Sequence, residues 1–189
     1  MTSPKNSYEV INADGYLKFG SLWIPSLNEL DISVEITQDD KQLLSLSLIY
    51  ANSIAKVEVF AAAKDHSSWT ETRFELAAKL EDAKVQPKVM NGTFGAELSA
   101  IMPTFDAQGI AQVQAVRFLG IDGDRWFMRV TVSGNGATDP VAISKLDELI
   151  SQLVVDRGEH AMSPGSRLPL TLPSSENVAV TQDNLRIEI

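Results

Sequence analysis

Residues 112–133 read QVQAVRFLGIDGDRWFMRVTVS and carry the clearest structural signal in the chain. Two runs of alternating apolar residues flank the dipeptide Asp122-Gly123, which favours the positive φ angles of a type I′ turn. In the second run, Trp126 and the residues at positions 128, 130 and 132 alternate with Phe127 and the residues at positions 129 and 131. The stretch therefore predicts a β-hairpin with large side chains on both faces, covered at one end at least.

Shorter strands are predicted before this hairpin, because the same period-2 alternation occurs over residues 31–37, 43–50 and 54–61. Polar turns separate them, so we expect an antiparallel meander. A further hairpin is expected over residues 85–102, where Asn91-Gly92 is the strongest turn dipeptide.

Two helices are predicted from their starting signals. Ser68-Trp69-Thr70-Glu71 has the spacing of a capping box and predicts a helix to about Asp82. Removing the Ser68 hydroxyl should then cost about 1 kcal/mol. A second helix should begin with Thr138 or Asp139 as its cap, because Pro140 suits the first helical position. A short closing strand is expected at residues 154–155.

These elements predict one α+β domain over residues 14–158: a twisted antiparallel sheet of about seven strands with two main helices packed on it. Residues 1–13 are expected to form a flexible N-terminus. Three prolines within residues 159–173 predict an extended arm. Residues 174–189 are polar with isolated apolar positions and are expected to be a mobile C-terminal extension.

Composition excludes several function classes. The 189 residues include 16 Lys+Arg and 25 Asp+Glu, a formal charge of −9, and no basic stripe is visible, so we expect no nucleic-acid partner. No apolar run approaches the ~20 residues that a membrane-spanning helix needs. The first residues lack an apolar signal-peptide region, and the absence of cysteine fits a reducing compartment. We therefore expect a cytoplasmic protein without a membrane partner.

No motif predicts catalysis, a metal site or a cofactor. Residues 134–139 nearly match a dinucleotide-binding turn, but Asp139 would repel the pyrophosphate and Pro140 lacks the N–H that would hold it. The only histidines, His66 and His160, carry no supporting nucleophile motif.

The central hairpin concentrates arginine and tryptophan in an otherwise acidic chain. Such residues bind carboxylates or anchor protein partners. The candidate binding residues are Arg117, Arg125, Trp126 and Arg129. The alternative is that the tryptophan belongs to the core and the arginines pair with Asp122, Asp124 or helix carboxylates.

The arm supplies a second candidate surface. Leu168, Leu170 and Leu172 alternate as they would in a strand that adds to a sheet edge. That edge could belong to a partner or to the chain's own sheet. If the arm folds back, Leu170→Ala should lower stability without lowering binding.

An ordered set of short motifs resembles a known family. The segments that carry the resemblance are Asp14-Gly15, Gly20-Ser21-Leu22-x-Ile24-Pro25, Phe60-Ala61-Ala62, Trp69, Gly92-x-Phe94-Gly95-x-Glu97-Leu98, Val116-Arg117-Phe118-x-Gly120-x-Asp122-Gly123-x-Arg125-Trp126-Phe127-x-Arg129, Val154-Val155-x-Arg157-Gly158 and Leu168-Pro169-Leu170-x-Leu172-Pro173. Together they resemble the actinobacterial family catalogued as domain of unknown function 3710, over about residues 14–173.

That resemblance implies no established activity. By looser similarity, the order of elements resembles the fold shared by Mog1 and the photosystem protein PsbP, a sandwich whose members mostly act as protein-binding accessories. This likeness concerns the fold and does not by itself license a function.

Three functional hypotheses follow. The first is a non-enzymatic cytoplasmic accessory protein that binds an unidentified protein. The second is a binder of a small anionic ligand, or an enzyme, that uses a sheet–helix cavity near Arg125 or Arg129. The third is a structural homo-oligomer.

Overall fold

The chain forms two β-sheets and two α-helices in the computed structural model, which describes residues 3–37, 42–64, 67–173 and 185–187. The strands are β1 (Lys5–Asn6), β2 (Tyr16–Phe19), β3 (Leu22–Pro25), β4 (Asp31–Ile36), β5 (Leu43–Tyr50), β6 (Ser53–Ala61), β7 (Lys88–Gly92), β8 (Gly95–Phe105), β9 (Ala111–Asp122), β10 (Trp126–Gly134), β11 (Val154–Val155) and β12 (Leu185–Ile187). The helices are α1 (Ser68–Asp82) and α2 (Pro140–Ser151), with single 3₁₀ turns at Ser7–Glu9 and Asn135–Ala137.

The larger sheet has the strand order β4-β5-β6-β10-β9-β8-β7, and every neighbouring pair is antiparallel. Strand β12 pairs with the outer edge of β4. The predicted α+β class, the seven-stranded antiparallel sheet and the two helices are therefore confirmed. The predicted mobile extension, residues 174–189, otherwise lies outside the described residues.

The smaller sheet has the order β1-β11-β3-β2, in which only β1 and β11 run parallel. It contains the short strand that we predicted at residues 154–155. It also includes part of the segment expected to be a flexible N-terminus, because Lys5 and Asn6 pair with Val154 and Val155.

The larger sheet is covered on both faces, as its central strand predicts. On β10, Trp126 and Met128 point into a core shared with α2 and the smaller sheet. Phe127 points to the opposite face, where it stacks with Trp69 of α1 at a centroid distance of 6.3 Å. The two helices therefore lie on opposite faces of the sheet.

Helix α1 begins one residue earlier than predicted. Its N-cap is Ser67, whose Oγ accepts a hydrogen bond from the Thr70 N–H at 3.3 Å. Asp122, at the end of β9, accepts from the Ser67 hydroxyl and from the Trp69 N–H. The predicted cap Ser68 is wrong, because this long-range carboxylate organises the first turn. Helix α2 begins as predicted, with Asp139 as cap and Pro140 in its first turn.

The β9–β10 turn also differs from the prediction. The positive φ, 59°, falls on Arg125 rather than on Gly123. A Cβ at Gly123 would collide with the Trp126 indole, so this glycine provides space for the ring. The sequence correctly indicates a special role for the glycine at position 123, but this glycine is needed for space and not for a positive φ angle.

The β7–β8 turn is displaced in a similar way. Gly92 pairs with Gly95, so the turn residues are Thr93 and Phe94 rather than the predicted Asn91-Gly92. A Cβ at Gly92 would meet the Glu97 carboxylate. Gly92 therefore makes room for a buried acid.

The arm lies against the chain's own sheets. The Leu168 N–H donates to the Val59 carbonyl at 2.9 Å, and the Ser21 N–H donates to the Pro169 carbonyl at 3.0 Å. The arm runs beside the last residues of β6, beyond Val57, which is the last β6 residue that pairs with β5. Leu168 and Leu170 are buried in the larger core, whereas Leu172 is 41% exposed.

Candidate functional site

Arg117 lies in a buried ion cluster. Its guanidinium donates to both Glu97 oxygens, at 3.0 and 2.9 Å, and to the Gly136 carbonyl at 2.9 Å. Asp147 of α2 lies 3.4 Å away and also accepts from the Thr93 hydroxyl. Because these side chains are at most 8% exposed, the cluster ties β8 and β9 to α2.

The cluster holds one cation and two carboxylates. Burial lowers the pKa of Arg117, but the hydrogen bond to Glu97 and the charge of Asp147 outweigh it and raise that pKa above its usual value. Arg117 therefore stays charged, and its hydrogen-bonding groups are directed at residues of its own chain.

The side chains of Trp126 and Arg125 lie in different environments although the two residues are neighbours in sequence. The Trp126 ring is 1% exposed, and its indole N–H donates to the Asn6 side chain at 2.6 Å. It therefore fastens the N-terminal strand to the core. The Arg125 side chain is exposed. The main-chain carbonyl of Arg125 accepts hydrogen bonds from the Ala62 N–H and from the Arg157 guanidinium.

Arg129 shares a carboxylate with the arm. Glu58, directly opposite on β6, accepts from Arg129 on one oxygen and from Arg167 on the other. Both guanidiniums lie over the Phe60 ring, at 5.4 and 5.7 Å. Glu58 is 6% exposed, so a nearly buried anion fastens the arm to the sheet.

A cavity of about 430 Å³ opens beside Arg129, between α1, the sheet and the arm. Phe60 and Phe127 form its apolar wall, and α1 contributes Glu71 and Glu75. Arg125 does not line it. The structure thus contains a sheet–helix cavity that is lined by one of the two predicted arginines and by two glutamates.

An exposed apolar surface lies at the far end of β8 and β9. Cross-strand pairing places Ile101, Pro103 and Phe105 beside Ala111 and Val113 on one face. We call these five residues the ribbon face. Ile101, Phe105 and Val113 are 58%, 71% and 75% exposed. The ribbon face lies on the same side of the sheet as Arg117, farther along the same two strands.

The tip of this ribbon is held by Asp106. Its carboxylate accepts from the Ile110 N–H at 2.8 Å and from the Gln108 N–H at 3.0 Å. The Ile110 hydrogen bond is the main cause that lowers the pKa of Asp106. Between Leu98 and Val116, Asp106 is the only charged residue. The ribbon face is therefore uncharged and its tip is ordered by hydrogen bonds.

Sequence reasoning missed the ribbon face, because alternating apolar residues normally mark the buried side of a strand. One signal could have found it. Strands β8 and β9 have 11 and 12 residues, and they continue as a two-stranded ribbon beyond Ser99 and Val116, where their pairing with β7 and β10 ends.

In the described part of the chain, no helix is long and apolar enough to cross a membrane. The same residues contain no group of three or more acidic or histidine side chains that could hold a metal ion. His160 is exposed, and His66 lies outside the described residues.

Comparisons with known proteins identify a family. A family model described as "Protein of unknown function (DUF3710)" matches residues 4–178. No curated protein and no solved structure matches the chain. The actinobacterial origin and the likeness to Mog1 and PsbP stay predictions. Because the model spans most of the 189 residues, the predicted membership is confirmed: the chain belongs to the DUF3710 family.

Proposed function

We propose that this chain is a non-enzymatic accessory protein of the cytoplasm that binds another protein through the ribbon face. One observation carries the proposal: Ile101, Phe105 and Val113 form a contiguous apolar surface on paired strands, each more than half exposed. Contiguous exposed patches of this kind mark interaction sites in soluble proteins.

The energy available at this surface supports binding. Fully burying an exposed large apolar side chain contributes about 1.5–3 kcal/mol, and three side chains that are 58–75% exposed lie side by side, so each can supply more than half of that value. The cost of association is several kcal/mol, so the surface suits reversible binding.

The ribbon face is also preorganised. Strands β8 and β9 pair without interruption from Leu98 to Phe105. At the base, Arg117 and Glu97 cross-link the same two strands, and Asp106 holds the tip. Little conformational entropy should therefore be lost when a partner binds.

The test is quantitative affinity capture from native lysate. The baits are the full chain, the Phe105→Glu variant and a matched Phe74→Glu control, each checked by thermal melt. Phe74 is 66% exposed on α1, which covers the opposite face of the sheet. We expect a stoichiometric partner that Phe105→Glu loses and Phe74→Glu keeps. Equal capture by all three baits, or capture by none together with a chain that stays monomeric in solution, would reject the ribbon face.

Point variants are preferable to removal of the arm. A chain that ends at Gly158 would lose Leu168 and Leu170 from the core. Such a bait would confuse unfolding with loss of a contact.

The second candidate is a binder of a small anionic ligand, or an enzyme, that uses the cavity beside Arg129. Its volume, about 430 Å³, falls in the range of small-molecule sites. Native mass spectrometry of the purified chain would detect a retained ligand. Thr72→Tyr should fill the cavity and abolish retention while leaving the Arg129–Glu58 pair in place. Retention unchanged by Thr72→Tyr would exclude this cavity.

A further inference from the structure

We infer that the protein bound at the ribbon face is a second copy of this chain, with the two ribbon faces packed against each other about a two-fold axis. This inference rests on the proposed function, since it names the partner of the same surface. A two-fold axis brings the same patch of each copy into contact, so a face that is apolar throughout complements itself.

The ribbon face presents no charge that would oppose a second copy. The chain carries a net charge of −9, whereas the ribbon face has none and Asp106 lies at the tip rather than on the face. Two copies could therefore meet here without burying a charge. A basic partner would instead be drawn to the acidic surfaces, because charge complementarity guides such encounters. Depletion of charge together with apolar character is typical of interfaces between identical chains.

The available area sets the expected strength. The large exposed side chains and the flanking main chain offer on the order of 500 Å² per copy, below the roughly 800 Å² of a standard interface. We therefore expect a weak dimer that forms as the concentration of the chain rises, rather than an obligate one.

Salt provides a specific signature. The two copies repel each other through their net charge, and this repulsion is screened as ionic strength increases. An uncharged contact loses nothing to screening. Dimerisation through the ribbon face should therefore strengthen with added NaCl, whereas a contact between opposite charges would weaken.

The experiment is sedimentation equilibrium of the purified full chain, from about 1 to about 500 μM and at about 0.05 and about 1 M NaCl. We expect a monomer–dimer equilibrium that shifts toward dimer at high salt. Phe105→Glu should weaken it at least about tenfold, an effect of roughly 1.4 kcal/mol. Phe74→Glu adds the same charge on the opposite face and should leave it nearly unchanged.

A second measurement locates the contact independently of folding effects. Because the chain has no cysteine, Val113→Cys gives one thiol per copy, and a short bismaleimide cross-linker should join two copies. The matched Phe74→Cys variant should not cross-link. Dimers that cross-link through residue 74 and not through residue 113 would overturn the inference.

The two proposals fail in different ways. A chain that stays monomeric at about 500 μM in both salts overturns self-association. If Phe105→Glu still loses a captured partner of a different sequence, the proposed function stands and the second copy is rejected. If neither self-association nor capture depends on Phe105, both fall.

Discussion

Arg129 donates two hydrogen bonds to the same carboxylate oxygen of Glu58, from Nε at 3.0 Å and from Nη2 at 2.6 Å. The two residues face each other across the β6–β10 ladder. The other oxygen of Glu58 accepts from Arg167 on the arm. One cross-strand ion pair thereby fixes the position of a segment more than one hundred residues away in sequence.

Replacing Glu58 tests this connection. Glu58→Gln leaves two guanidiniums without a counter-charge, and we expect a loss of about 2 kcal/mol, below the value for a fully buried pair because both arginines are partly exposed. Urea denaturation measures it. The control is Glu35→Gln, which breaks the more exposed pair with Lys56 and should cost about 0.5 kcal/mol. Equal losses in the two variants would contradict a special role for Glu58.

Replacing Arg117 should give a loss that depends on pH. Arg117→Met leaves Glu97 and Asp147 buried without their cation, at a cost of about 3–5 kcal/mol at pH 7. The folded variant should then bind protons that the unfolded chain releases, so its stability should rise relative to the parent as the pH falls from 7 toward 5. Chemical denaturation at both pH values measures the difference. The same loss at pH 5 and pH 7 would show that the carboxylates are not isolated.

Two adjacent serines at the start of α1 should contribute differently to stability. Ser67→Ala removes the cap and a hydrogen bond to Asp122, and we expect it to cost about 1–2 kcal/mol. Ser68→Ala lies one residue inside the helix and should change stability by less than about 0.5 kcal/mol. Thermal melts of both variants are sufficient. A larger loss from Ser68→Ala would restore the cap that the sequence suggested.

Two leucines of the arm should likewise contribute differently to stability. Leu170 is 8% exposed and belongs to the larger core, so Leu170→Ala should cost about 2–4 kcal/mol. Leu172 is 41% exposed, and Leu172→Ala should cost less than about 0.5 kcal/mol. Denaturation of both variants tests the docked position of the arm. Equal, small effects would place the arm away from the sheet.

Much of the fold could be predicted because its signals are local. The alternation after Trp126 reports both faces of β10, and Asp139-Pro140 sets the start of α2 within a few residues. Family membership was likewise recognisable from short motifs in order.

The errors have a common physical origin. Asp122 organises the first turn of α1 from 53 residues away in sequence, and Glu97 fills the space that Gly92 leaves open across the β7–β8 turn. Local turn and cap preferences contain no information about such contacts. Pairing of Arg117 with a helix carboxylate was one of the alternatives, and Asp147 is such a residue, but the pairing with Glu97 was missed because Glu97 lies 20 residues away on another strand.

The docking of the arm beside β6 has a consequence for synthesis of the chain. Ala61 leaves the ribosome about one hundred residues before Ser166, to whose carbonyl its N–H donates. At about 5–20 residues per second, that edge of β6 stays open for roughly 5–20 s. During this interval the nascent chain presents unpaired backbone groups next to Val59 and Ala61, where another growing chain could pair. Completion of this domain therefore waits for the arm, and only then is this edge of β6 closed.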